Sequence, residues 1–230
     1  MLVTDWLGKE NELGIQIWKD KYQFEDETFD EWLERVSNGN QAIKKLILEK
    51  RFLFGGRILA NRGLHKLGRK VTYSNCYVLE RVPDSIEGIY ETAKQLARTF
   101  SYGGGVGIDI SDLRPKGSPV NNAARTTTGA VSFMDTFSSV SSVIGQEGRR
   151  GALMISMDCN HPDIQDFIDA KKNTDKLEGC NISVRVDDEF MNEVHEIGTL
   201  QNKLFMQLAE NNWDFAEPGI LYWDALKYYN

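Results

Sequence analysis

The sequence predicts an α/β protein: a helical N-terminal segment followed by about five strands alternating with helices. Three observations carry this. Apolar residues recur at helical spacing through the first fifty positions; after Gly55-Gly56 the texture changes to short apolar strands, each followed by an amphipathic helix; and glycine or proline punctuates the junctions. The predicted organisation is therefore a helical region over 1–54 and an α/β region over 55–230.

In the helical region, Trp18, Tyr22, Phe29, Trp32, Leu33 and Val36, then Ile43, Leu46 and Ile47, fall near one helical face, with a break at Ser37-Asn38-Gly39-Asn40. The strand candidates are Ser74 to Glu80, Val106 to Ile110, Leu153 to Met157, Asn181 to Val186 and Ile220 to Trp223. Alternation such as Val106, Ile108, Ile110 puts apolar side chains on one face. Between the first two strands, Pro83-Asp84-Ser85-Ile86-Glu87 predicts an Asp84 N-cap with Glu87 three residues on. The helix it opens carries the stripe Ile86, Ile89, Ala93, Leu96, Ala97 and Phe100. A second helix, from Thr128 to Ile144, carries Val131, Met134, Phe137, Val140 and Ile144. A third opens at His161-Pro162-Asp163, where Pro suits the first turn, and buries Ile164, Phe167 and Ile168. A fourth, near Leu200 to Trp213, carries Leu204 and Leu208.

Composition narrows the function classes. A chain of 230 residues that is 41% hydrophobic and 27% charged is ordinarily globular. Its net charge of −7 (27 − 34) and pI of about 5.1 argue against a nucleic-acid-binding surface, but leave room for a local basic pocket that holds one nucleotide. No apolar run approaches the roughly 18 residues of a membrane span. The opening Met1-Leu2-Val3-Thr4-Asp5 lacks the basic-then-apolar order of a signal peptide, so a cytoplasmic protein without membrane attachment is expected. Cys76, Cys159 and Cys180 form neither a C-x-x-C pair nor a zinc-like spacing with histidine, so no metal site or disulfide framework is expected and each is either chemical or simply buried.

Two loops could carry chemistry. Gly103-Gly104-Gly105, just before a strand, would let a ligand approach the backbone and leave N–H groups free for oxyanions; a glycine turn packing against a neighbour is the alternative. It is not a P-loop, which needs Gly-Lys-Ser/Thr, nor the dinucleotide fingerprint, which wants glycine at Ile108 and a helix next. In Gly145-Gln146-Glu147-Gly148-Arg149-Arg150-Gly151-Ala152, arginines at a strand mouth suit phosphate or nucleobase recognition, or form a solvated surface loop.

Together with further segments, these resemble the catalytic subunit of ribonucleotide reductase. The matching motifs, in order, are Asn75-Cys76-Tyr77-Val78-Leu79, the Asp84 to Thr92 stretch, Gly103 to Ile108, Arg114-x-x-Gly117-Ser118-Pro119, Gly148 to Ala152, His161-Pro162-Asp163-Ile164, Asn181-Ile182-Ser183-Val184 and Glu217-Pro218-Gly219-Ile220. The resemblance spans nearly the whole chain. It implies that residues 55–230 form the first half of a ten-stranded α/β barrel.

It also implies roles. Cys76 would be one of two thiols that become a disulfide while reducing the ribose 2′ carbon, a two-electron exchange that a dithiol can supply. Asn75, Cys76 and Gly105 would line the substrate pocket. Asp84, Ser85, Ile86, Ser101, Arg114 and Asn121 would bind a deoxynucleoside triphosphate effector: Asp84 can accept hydrogen bonds from a sugar or base, and Arg114 can pair with a phosphate. Asn121 stands where some members carry a second basic residue. Gln146 and Arg150 match the loop that communicates between effector and substrate base. Cys159 and Cys180 match no catalytic position.

The family's radical-bearing cysteine and second redox thiol come after the region matched here. The expectation is therefore the N-terminal piece of a reductase, from a split gene or a truncated chain, whose partner is a polypeptide supplying the C-terminal half. Arg149-Arg150-Gly151-Ala152 and the opening directly on the helical region look most like the adenosylcobalamin-dependent class, with the cofactor's contacts mostly outside this chain. Further implied partners are a ribonucleotide substrate, a thioredoxin-type reductant and a second copy in a homodimer. The alternatives are an iron- or manganese-dependent large subunit and a catalytically silent nucleotide-binding module.

Overall fold

The computed structural model describes residues 1–144, 151–172 and 177–229. They form two compact units, Met1–Asn75 and Cys76–Asn230.

The first unit holds helices α1 (Val3–Leu7), α2 (Glu12–Lys21), α3 (Phe29–Ser37), α4 (Gln41–Leu48) and α5 (Gly56–Asn61). Trp6, Trp18, Phe29 and Trp32 form its core, with ring centroids 5.3 Å apart for Trp6 and Phe29 and 5.4 Å for Phe29 and Trp32. Two of the three buried indoles find acceptors, Trp6 Nε1 donating to Ile47 O at 3.1 Å and Trp32 Nε1 to Leu59 O at 3.2 Å, whereas Trp18 Nε1 has none among the described residues. Thr28 and Glu31 make the reciprocal capping box that starts α3. The break predicted at Ser37–Asn40 is present: Asn38 takes a left-handed conformation (φ 51°), and the Asn40 side chain accepts from Ala42 N and Ile43 N to open α4.

Residues 55–75 fold with this unit, past the change of texture at residue 54. The reason is a long-range contact. The half-buried Arg35 guanidinium, paired with Glu27, donates to Ala60 O at 3.0 Å and Arg62 O at 2.7 Å, while Leu59 joins the aromatic core.

The second unit is a five-stranded, all-parallel sheet in chain order: β1 (Cys76–Val78), β2 (Gly105–Asp109), β3 (Leu153–Asp158), β4 (Cys180–Val186) and β5 (Gly219–Tyr222). It carries α6 (Ile86–Ser101), α7 (Met134–Val143), α8 (Ile164–Ile168), α9 (Asp188–Glu193), α10 (Leu200–Phe215) and α11 (Trp223–Tyr229). All five predicted strands are present, and β1 is shorter than its apolar run because only Cys76–Val78 pair fully with β2. The second predicted helix begins as a single 3₁₀ turn at Val131–Phe133 before α7.

Strand alternation separates the two faces. Val106, Ile108, Leu153, Ile155, Met157, Ile182 and Val184 join the core with Ile89, Leu96, Phe100, Phe137 and Phe167 from the helices. The opposite face carries Cys76 and Val78 of β1, Gly105, Gly107 and Asp109 of β2, Met154, Ser156 and Asp158 of β3, and Asn181, Ser183 and Arg185 of β4, which share a side through their register. Val78 is 88% exposed, so no element of this unit covers that face at β1. At the other end of the strands, Arg185 is 2% exposed: it lies 3.0 Å from Asp109 and 2.9 Å from Asp158, and its guanidinium sits 4.3 Å from the Trp223 ring centre. Among the described residues no helix is long and apolar enough to cross a membrane.

Candidate active site

Cys76 opens β1 and is exposed; Cys159 and Cys180 are buried. Its register partner is Gly105, and Val78 pairs with Gly107, so the two positions beside β1 on the open face carry no side chain. Gly105 itself is buried and Gly107 half-buried, so this side-chain-free strip is only partly open. Cys180 points to the helix-covered face and packs in the core, and Cys159, just after β3, packs there too. Burial pushes both of these thiols up to about 11. An aromatic disulfide reagent at mildly alkaline pH should therefore titrate one fast thiol, Cys76. The other two should react about a hundredfold more slowly until denaturant is added, because the thiolate is the reacting form. Three fast equivalents from folded protein would contradict this placement.

The triple glycine corrects one expectation. Gly103 N donates to Phe100 O at 2.9 Å and Gly104 N to Thr99 O at 3.0 Å, so these two amides close the C-terminus of α6 and are not available to an oxyanion. Gly103 has φ 92°, and a Cβ on Gly104 would lie 2.8 Å from both Thr99 and Tyr77. These two glycines serve the packed turn, and only Gly105 stands beside Cys76. Two clefts of the unit, of about 280 Å³ near Asp163 and about 420 Å³ near Trp213, are lined by other residues than Cys76 and Gly105. Asn75 ends the first unit, where its Oδ1 accepts from Arg57 Nε at 3.4 Å.

The candidate effector residues are brought together in part. Arg114 Nε donates to Asp84 Oδ2 at 2.7 Å, Arg114 N to Asp84 Oδ1 at 3.2 Å, and Arg114 Nη1 to Pro119 O at 3.1 Å. This overturns the expected Asp84 N-cap. Its carboxylate is taken by Arg114, and Ser85 caps α6 instead, its Oγ accepting from Gly88 N at 3.0 Å. Ile86, in the first turn, is 52% exposed beside them. Ser101 lies at the far end of α6, roughly 22 Å along the axis, with its Oγ donating to Arg98 O; one chain does not bring it to Asp84. Asn121 stands exposed at the tip of a hairpin closed by the Pro119–Thr126 bridge. Gln146 and Arg150 lie outside the described residues.

Sequence reasoning missed the use made of His161 and Asp163. His161 Nε2 donates to Leu113 O at 2.8 Å and its Nδ1 accepts from Asp163 N, while Asp163 accepts from Lys116 N and Ala130 N. The His-Pro-Asp triplet was visible, but as a helix start.

Comparison with known proteins shows the family and the fold. The family described as "Ribonucleotide reductase, barrel domain" matches residues 74–203, more than half of the chain. A Thermoplasma acidophilum protein named vitamin B12-dependent ribonucleoside-diphosphate reductase is 34% identical over 223 residues, covering 86% of this chain and 28% of the relative. A Mycobacterium tuberculosis protein of the same name is 35% identical over 178 residues, covering 76% of this chain and 24% of the relative. The chain thus spans about a quarter of the length of these relatives. In fold, it is similar to the class Id ribonucleotide reductase alpha subunit of Actinobacillus ureae, with a TM-score of 0.76 at 20% identity, over 93% of this chain and 40% of that one. The chain belongs to the ribonucleotide reductase family, and strands β1 to β4 of its parallel sheet fall within the match to that family's barrel domain.

Proposed function

We propose that this chain supplies one redox thiol and the effector site of an enzyme that reduces ribonucleoside diphosphates to 2′-deoxyribonucleotides by a thiyl-radical route. In the net step the 2′ C–OH bond breaks, a C–H bond forms, the oxygen leaves as water, and two thiols, giving two electrons and two protons, become a disulfide. Cys76 is one of these thiols. The other belongs to sequence outside these 230 residues, because Cys159 and Cys180 are both buried in the core. A thioredoxin-type reductant then regenerates the pair.

The observation that carries this reading is the exposed Cys76 on the open face, with Gly105 and Gly107 as its neighbours. Asn75 and Gly105 flank the substrate. Asp84 and Arg114, already held against each other, receive the deoxynucleoside triphosphate beside Ile86. The names of the two relatives support adenosylcobalamin as cofactor, which when bound supplies the radical. Among the described residues no group of three or more His, Cys, Asp or Glu is arranged for a metal, and both ring nitrogens of buried His161 are engaged by backbone. The cofactor's contacts and the radical cysteine are assigned to the rest of the enzyme.

The test combines the chain with a polypeptide supplying the remainder of the barrel, adenosylcobalamin, a ribonucleoside diphosphate and a dithiol. Cobalamin-dependent deoxynucleotide formation is expected. Turnover that instead needs a separate radical-generating subunit would move the chain to the iron- or manganese-dependent enzymes. No turnover with either, alongside retained dTTP binding, would make it a silent nucleotide-binding module.

A further inference from the structure

We infer that the His161-Pro162-Asp163 turn is the seat of the effector hairpin, and that Asp163 is a positioning residue that holds both feet of this hairpin and so presents Arg114 ready for a nucleotide phosphate. The inference rests on the effector reading above.

The excursion from Leu113 to Ala130 leaves the sheet after β2 and returns before α7. Its two arms are joined by Gly117 N to Thr127 O at 3.0 Å, Thr127 N to Ser118 O at 2.9 Å and Val120 N to Arg125 O at 2.9 Å. A hairpin of this size, with an exposed tip and only one antiparallel bridge, is marginal on its own and takes its orientation from its base. Each side of that base ends on the same short turn, far along the chain. On the outgoing side, Leu113 O accepts from His161 Nε2, and Lys116 N donates to Asp163 Oδ1 and Oδ2, each at 3.1 Å. On the returning side, Ala130 N donates to Asp163 Oδ2 at 3.1 Å.

Asp163 is 8% exposed and His161 7% exposed. Because Asp163 N donates to His161 Nδ1 at 3.0 Å, the imidazole carries its proton on Nε2 and can donate it to Leu113 O. Hydrogen bonds from backbone N–H groups to a buried carboxylate are stronger than neutral ones. Gly129 completes the fit: it has φ 93°, and a Cβ there would come within 2.7 Å of Asp163 Oδ2 and of the Lys116 Cβ. A side chain at 129 would lift the returning foot off its carboxylate.

Arg114 lies between these anchors, one residue after Leu113 and two before Lys116. With the base fixed, its main chain and Nε stay on Asp84, so the arginine does not have to be ordered when the nucleotide arrives. Asp163 touches neither Arg114 nor any proposed ligand position; it acts through the loop.

Two variants test this on the full chain. Asp163→Asn keeps the shape but turns an N–H group toward one of the donors, and Gly129→Ala disturbs the same contact from the other side. By hydrogen exchange without nucleotide, both should lower protection at Lys116, Gly117, Thr127 and Ala130 by about tenfold to a hundredfold, the range for losing a hydrogen bond to a charged group, with protection in β3 and β4 unchanged. Titration with dTTP, dATP, dGTP and dCTP should show weaker binding by a similar factor for each nucleotide that the wild type binds. The double variant should be little worse than either single one, because both break one contact. Unchanged hairpin protection, loss spread equally over the sheet, or a loosened hairpin with full nucleotide affinity would each overturn the inference. A wild-type chain that binds none of the four nucleotides would defeat the effector reading instead, and hairpin protection alone would then decide whether Asp163 is the seat.

Discussion

Cys76→Ser is expected to abolish ribonucleotide reduction in the complemented enzyme, by at least about a thousandfold, as removal of an essential reacting group typically does. Serine occupies nearly the same volume and can still donate a hydrogen bond, but its hydroxyl cannot give up electrons by forming a disulfide. The loss should therefore be chemical. Cys76 is exposed at the start of an edge strand, and its neighbours on that face are glycines, so the substitution should change stability by no more than about 0.5 kcal/mol. Effector binding at Asp84 and Arg114 should also persist. The same change at the other cysteines should do the opposite. Cys159→Ser or Cys180→Ser buries a hydroxyl in the apolar core, at a cost of about 1–3 kcal/mol, while the folded fraction keeps its activity. Assay of activity per folded molecule, with unfolding by urea alongside, separates the cases.

The second large effect is on folding. Arg185→Met should destabilise the second unit by about 3–5 kcal/mol, the usual result of removing one member of a buried ion pair. The guanidinium is 2% exposed and serves two carboxylates: Asp158 through a 2.9 Å hydrogen bond and Asp109 by a 3.0 Å contact from Nε that lacks hydrogen-bond alignment. Its face lies against Trp223, so the methionine would fill part of the space but leave Asp109, with a side chain 12% exposed, with only the more distant and half-exposed Arg81, 4.0 Å away, as counter-charge. Ser156 Oγ, 2.7 Å from Asp109, relieves that only in part. Replacing all three charges, with Asp109→Asn and Asp158→Asn added to Arg185→Met, should recover most of the loss, because hydrophobic or neutral groups of similar volume often substitute for a buried pair at little cost. Equal urea midpoints for the single variant and the wild type would mean that the cluster is solvated and not structural.

The parts of this fold that were legible in the sequence are those decided locally. Alternation of Val106, Ile108 and Ile110, and of Leu153, Ile155 and Met157, marks strands because one face of each is sealed by helices. The break at Asn38 is legible because asparagine tolerates the left-handed conformation that ends α3. What was not legible depends on contacts far apart in the chain. Asp84 looks as good an N-cap as Ser85 until Arg114, thirty residues on, takes its carboxylate. Gly103 and Gly104 read as a phosphate cradle until their amides prove to be closing α6. Asp163 reads as a helix start, yet its carboxylate is committed to Lys116 and Ala130, 47 and 33 residues away. Cys76 is a different case. Its exposure follows from the strand register, but its redox role follows from the resemblance alone, which is why it needs chemistry to test it.

The most direct test is a single turnover without external reductant: the complemented enzyme, cobalamin and one equivalent of ribonucleoside diphosphate, followed by acid quench, alkylation of free thiols and peptide mapping. Cys76 should be recovered in a disulfide with a cysteine from outside these 230 residues, in an amount equal to the deoxynucleotide formed, with Cys159 and Cys180 alkylated only after denaturation. Deoxynucleotide formed in full while Cys76 stays a free thiol would contradict the account.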